Sequence, residues 1–237
     1  MTEIVSLEKN PVSEILEKTG YSRVEWVYKT IKHSILNNDY YPGFQALEPE
    51  LAKALGVSRT PVREALIRLE NERLIELIPR RGMRVIPLVP SDMKEIYELL
   101  TSLESMAAEL LAKRNLSVEE LSPLSKALND MDRCLIENDR TGWAEADERY
   151  HKALLSLCGN KRLATMANTV RDQGHRARLV TLRLRDKPTQ SNEEHRKVYE
   201  AVVNGDWQAA RDLHYAHRSR TSQKLLEILE EYKLPHL

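Results

Sequence analysis

The chain has 237 residues, 41% of them apolar and 30% charged, with a formal net charge of zero. That mix excludes a disordered chain, and the lack of any apolar run near the roughly 20 residues needed to cross a bilayer excludes a membrane-spanning one. The length suits one large domain or two modest ones, each with its own core, and two is the better starting expectation. Only Cys134 and Cys158 are present, without CxxC spacing, so neither a disulfide framework nor a thiolate metal site is expected. No basic stretch leads into an apolar one at the N-terminus, so a reducing, cytoplasmic setting is expected. Residues 23–88 carry 11 Lys and Arg against 8 Asp and Glu, whereas residues 89–237 carry 23 against 24. That N-terminal surplus is too small to establish nucleic-acid binding by charge, so the argument rests on motif and placement.

Residues 1–22 are polar with a weak apolar pattern and read as an arm without assigned function. Val27, Ile31, Ile35 and Leu36 recur at helical spacing within a first helix over 24–36, which stops before the turn Tyr41-Pro42-Gly43. A short second helix over 49–55 is closed by Gly56. Thr60 is the expected cap of a third helix, with Pro61 in its first turn and Val62, Ala65, Leu66 and Leu69 as its buried stripe. Residues 74–79 and 83–87 read as two strands joined by Arg80-Arg81-Gly82. Three helices and a hairpin outline a winged helix-turn-helix over 23–86.

Pro87-Leu88-Val89-Pro90 reads as a stiff linker. The pattern from Ser91 to 233 is helical throughout, with helices expected over 91–114, 117–138, 140–157, 160–186, 191–204 and 206–233. Ser117 with Glu120, and Ser191 with Glu194, have the spacing of capping boxes, and Asp206 can cap the last helix. Six helices with short connections predict an antiparallel bundle, so the fold class is mainly α.

In the third helix Arg59 and Arg63, four residues apart, project together from the first turns. Arg can take guanine by two hydrogen bonds in the major groove, and hydroxyls such as Ser58 and Thr60 suit phosphate oxygens. A pair of solvated surface charges with two caps is the plainer alternative. The stretch Leu-Ala-x-x-Leu-Gly-Val-Ser-Arg-Thr-Pro-Val-Arg-Glu-Ala-Leu over 51–66, with the later Arg81-Gly82, closely resembles the GntR family of bacterial transcription regulators across residues 27–85. By matching position, the resemblance implies DNA contacts from Ser58, Arg59, Thr60, Arg63 and Gly82. Pro49 stands where a fatty-acid-responsive member has a DNA-contacting arginine, and Arg73 where glycine is usual.

Asp147 and His151 share one helical face and could grip one divalent ion, such as zinc, nickel or manganese, together with His195 and His217 from two later helices. Isolated histidines hydrogen-bonding in a helical bundle are the commoner alternative. The order Asp147-x-x-x-His151, Cys158-Gly159-Asn160, Glu194-His195-Arg196 and Gly205-Asp206 before His217 resembles the FCD ligand-binding domain of the FadR subfamily, over about 91–233. The resemblance implies that Asp147, His151, His195 and His217 bind the metal, zinc first, and that a small carboxylate completes its coordination. His214, one turn before His217, is a competing ligand whose register fits less well. Leu100 stands where many relatives have an effector-holding arginine. Arg171, Arg176 or Arg178 could supply a cation instead, although a solvated helix face is the expectation for any single one.

The favoured reading is a homodimeric, non-enzymatic regulator that binds palindromic operator DNA under control of a small-molecule effector. A metal-dependent hydrolase or lyase using the Asp/His centre is the second reading, and an architectural DNA-binding protein with a purely structural bundle the third.

Overall fold

A computed structural model describes Leu16, residues 18–182 and residues 184–232. Of the expected arm, residues 1–15 and 17 lie outside the described residues, as does residue 233 at the end of the last expected helix. The chain divides into two compact units, one ending at Leu88 and one beginning at Val89.

In the first unit, α1 (Arg23–Leu36) is capped by Ser22, whose hydroxyl accepts the Glu25 N–H at 3.1 Å, and it buries Trp26, Val27, Tyr28, Ile31 and Ile35. α2 (Glu48–Leu55) ends at Gly56, whose φ of 64° lets the chain leave the helix through the left-handed region. α3 (Arg59–Asn71) packs Val62, Ala65, Leu66 and Leu69 inward, each fully buried. Each such leucine contributes about 1.5–3 kcal/mol by leaving water. The cap lies two residues earlier than expected, at Ser58 rather than Thr60.

Strands β2 (Ile75–Ile78) and β3 (Gly82–Val85) form the expected antiparallel hairpin, with Ile75 opposite Val85 and Ile78 opposite Gly82. A two-residue strand β1 (Gln45–Ala46), absent from the sequence reading, pairs with β3 and places Ala46 opposite Met83, giving the order β1-β3-β2. This pairing explains Gly82. Its φ is 78°, and a Cβ there would lie 2.1 Å from the Ala46 carbonyl oxygen. The glycine is dictated by the close approach of β1, a constraint within the fold itself.

The second unit is helical throughout: α4 (Pro90–Lys113), α5 (Ser122–Ile136), α6 (Arg140–Leu157), α7 (Lys161–Leu182), α8 (Thr189–Val203) and α9 (Trp207–Glu231). No helix among the described residues is long and apolar enough to cross a membrane. Leu111, Leu124, Met131, Tyr150 and Leu154 lie in its core. Asp206 caps α9 as expected, accepting the Ala209 N–H at 3.0 Å. The expected Ser117–Glu120 box forms, at 2.9 and 3.3 Å, but it closes a turn, and the helix begins only at Ser122 with Pro123 in its first turn. The Ser191–Glu194 box does not form. α8 begins two residues earlier, Ser191 is buried inside it, and Glu194 turns to partners on α9.

Candidate nucleic-acid interface and metal centre

In the first unit, Ser58, Arg59, Thr60 and Arg63 are all exposed at the start of α3. Neither Arg59 nor Arg63 has an ion pair among the described residues. Arg68, further along the same helix, is committed within the fold: it reaches Glu25 at 2.6 Å and lies over the Tyr28 ring, 3.5 Å from its centroid. Helix α3 therefore carries both kinds of arginine, and the uncommitted ones cluster at its N-terminal end, where cationic side chains and open backbone N–H groups suit phosphates and base edges. Gly82 is half-buried at the hairpin, behind the exposed Arg80 and Arg81.

In the second unit, α6 supplies Asp147 and His151, α8 supplies His195, and α9 supplies His217. Their side chains meet. His151 Nε2 lies 3.2 Å from His195 Nε2, and Asp147 Oδ1 lies 3.6 Å from the first and 3.5 Å from the second. One ring nitrogen from each of His151, His195 and His217 falls within 4.8 Å of the others. All three imidazoles are buried, while Asp147 keeps partial exposure.

Burial pushes the pKa of His195 well below the usual imidazole range, with the neighbouring His217 acting in the same direction, and burial also lowers that of His217. Both rings are therefore neutral near pH 7 and hold a lone pair for an electrophile. Burial alone would raise the Asp147 carboxyl, but His151 and His195 outweigh it and keep the group ionised. Three imidazoles and one carboxylate are a donor set for a borderline divalent ion, so these residues fit the metal that the sequence pattern implies.

Several partners escaped the sequence reading. Glu194 accepts from His217 Nδ1 at 2.6 Å and from Arg220 Nε at 2.7 Å, and although its burial opposes ionisation these contacts pull its carboxyl down to about 2. Glu104, fully buried on α4, lies 2.9 Å from His151 Nδ1. Its signal was available: Tyr97, Leu100, Glu104, Ala107 and Leu111 form one helical stripe, and a lone carboxylate in an otherwise apolar stripe needs a buried partner. The expectation of solvated arginines on α7 is corrected. Arg171 and Arg176 are buried and Arg178 nearly so, with Arg171 reaching Glu104 Oε1 at 2.7 Å and Glu148 Oε2 at 2.5 Å. Leu100 is fully buried. His214 is buried 3.6 Å from Glu104 Oε2, with neither ring nitrogen hydrogen-bonded among the described residues.

Residues 23–85 match the family model "Bacterial regulatory proteins, gntR family", and residues 95–220 match that of the FCD domain. A regulator encoded in the TAR-I ttuE-ttuC' intergenic region of Agrobacterium vitis is 42% identical over 136 residues, covering 56% of this chain and 80% of its own. The HTH-type transcriptional regulator YdhC of Bacillus subtilis is 30% identical over 207 residues, covering 87% of this chain and 92% of its own. Among solved structures, Escherichia coli McbR/YncC aligns with a TM-score of 0.74 at 20% identity, covering 87% of this chain and 98% of that one, a likeness of fold. With both domain models matched and regulators as its relatives, the chain belongs to the GntR family of bacterial transcription regulators, carries an FCD domain as its second unit, and is a regulator rather than an enzyme.

Proposed function

We propose that this regulator binds operator DNA with an affinity set by a small organic acid held beside a divalent metal in the helical unit. The observation that carries the reading is the convergence of Asp147, His151 and His195 within 3.6 Å of one another, with His217 alongside. These four residues would hold the ion, zinc in the first place and nickel or manganese as alternatives, and the ion would supply an electrophilic position for a carboxylate. Charge supports an acidic ligand. Around the centre, Glu104 and Glu148 pair with the Arg171, Arg178 and Arg218 guanidiniums, and Asp147 adds a third carboxylate beside the histidines, so a divalent cation would leave this cluster positive. With Leu100 in place of an arginine and Arg171 committed to two carboxylates, Arg178 is the better-placed cation on α7, 3.3 Å from Glu148 and with one guanidinium nitrogen unpaired among the described residues.

In the first unit, Ser58, Arg59, Thr60, Arg63 and Gly82 would contact DNA. Arg59 and Arg63 would read bases, the hydroxyls would take phosphates, and Gly82 would sit at the wing. A homodimer on a palindromic operator follows from the need to bind two half-sites. Control requires the acid to favour one of two states that differ in operator affinity. The test is operator binding by fluorescence anisotropy with zinc-loaded protein, titrated with a panel of C2–C6 mono- and dicarboxylates. An acid that changes operator affinity at least five-fold in wild type and leaves His195→Ala unaffected supports the reading. An equal response in both proteins overturns it.

A further inference from the structure

Glu104 faces His151 at Nδ1, whereas Asp147 and His195 face its Nε2. It is fully buried on α4, and its oxygens are shared among three elements: Oε1 accepts from Arg171 Nη1 on α7 at 2.7 Å, and Oε2 accepts from Arg218 Nε and Nη2 on α9 at 2.8 and 2.5 Å and lies 2.9 Å from His151 Nδ1 on α6. Three guanidinium N–H contacts, one from Arg171 and two from Arg218, hold it as a carboxylate. An ionised carboxylate only accepts hydrogen bonds, so the group facing it must donate.

We infer that Glu104 is a positioning residue of the metal centre: it fixes His151 as the Nδ1–H tautomer, which leaves the Nε2 lone pair facing Asp147 and His195. The inference rests on the metal reading above and adds a residue to it. A ring nitrogen that donates to a carboxylate makes its opposite nitrogen a better ligand and fixes the plane of the ring. Glu194 stands in the same relation to His217 Nδ1, at 2.6 Å, from a separate helix.

The arginines settle a second question. Glu104, His151 and His214 form an alternative group of three donors, which shares His151 with the first. Two guanidiniums on the Glu104 oxygens occupy its acceptor sites and repel a cation there. Asp147, the carboxylate of the first group, has no such guanidinium within ion-pair distance among the described residues. Arg171 and Arg218 thus keep Glu104 a hydrogen-bond partner of His151 and direct the ion to the Nε2 side of that ring.

The experiment uses the full chain in two measurements. The first is the 15N shifts of the His151 ring in metal-free wild type, which report the tautomer without any metal. The second is zinc affinity by competition with a chromophoric chelator, for wild type and Glu104→Gln. The inference predicts the Nδ1–H tautomer in wild type and a 10- to 100-fold loss of zinc affinity in Glu104→Gln, in line with other outer carboxylates. An Nε2–H tautomer in wild type overturns it even if the variant fails to fold. So does a folded Glu104→Gln that binds zinc as tightly as a zinc-binding wild type, and that result leaves the metal reading standing. A wild type that takes up no metal overturns both.

Discussion

His195 Nε2 lies 3.2 Å from His151 Nε2, although 44 residues and two helix connections separate them. At that distance one imidazole can donate to the other, and the Asp147 carboxylate beside both brings a third ligand atom to the same point. A shared cation would replace that contact.

The two kinds of arginine on α3 separate in their effects. Arg63→Ala removes a solvated, uncommitted side chain and should weaken binding to the cognate operator by about 1–3 kcal/mol while leaving thermal stability unchanged. Arg68→Ala breaks the Glu25 ion pair and uncovers Tyr28, so it should lower the melting temperature. Anisotropy titrations and thermal melts of both variants check this. Equal effects on operator binding would contradict the separation.

Gly82→Ala should destabilise the first unit even without DNA. The added methyl meets the Ala46 carbonyl oxygen at 2.1 Å, and the positive φ adds backbone strain, at a cost of about 1–3 kcal/mol. Urea unfolding followed through DNA-free protein reads the loss. A variant of unchanged stability but weakened operator affinity would assign the glycine to DNA contact alone.

Arg171→Met should be among the most damaging single changes in the helical unit. It leaves Glu148 with Arg178 at 3.3 Å and the exposed Lys152 at 3.4 Å, and removes one of the two guanidiniums on buried Glu104. Breaking such a pair costs about 3–5 kcal/mol. Chemical denaturation would measure it, and a loss below about 1 kcal/mol would mean that the buried network relaxes readily.

Much of this architecture is legible in the amino-acid order because long amphipathic helices carry their periodicity over many turns. Gly56, Asp206 and the Val62–Leu69 stripe behave as their chemistry dictates. Strand β1 is not legible, since two residues cannot display a period of two and its partner β3 lies 38 positions away. The candidate ligands were named from a pattern. Glu104, which faces His151 from behind, and Arg218, which pairs with Glu104, were missed because a buried ion network looks in sequence like scattered surface charge. Arg171 and Arg176 misled for the same reason: on α7 polar residues occur on every face, so no stripe announces which side is inside.

Acid should unfold the metal-free protein in a defined window. Burial first, and Arg178 next, push the His175 imidazole down to about 4, and burial drives His214 well below its usual range. Both therefore have folded values below the unfolded value of about 6.5, so the unfolded chain binds more protons between those limits. The stability gained by keeping them neutral is complete above pH 6.5 and is lost as the pH falls toward 4. Below about 4.5 the Glu194 carboxyl, at about 2 in the fold, adds to the loss. Melting temperatures should hold from pH 7.5 to about 6.5 and fall between pH 6.5 and 4, and a His175→Gln variant should show a shallower slope over that fall. A melting temperature that rises on acidification would contradict this balance.

The central claim is that one chain carries two separable sites, a DNA-reading helix and a metal centre. It is tested most directly by metal analysis and operator binding on the same preparations of wild type, His195→Ala and Arg63→Ala. The account predicts about one divalent ion per chain in wild type, loss of the ion in His195→Ala, and weakened operator binding with retained metal in Arg63→Ala. A wild-type protein that is metal-free after dialysis against zinc, or an Arg63→Ala variant that binds the operator as wild type does, would contradict it.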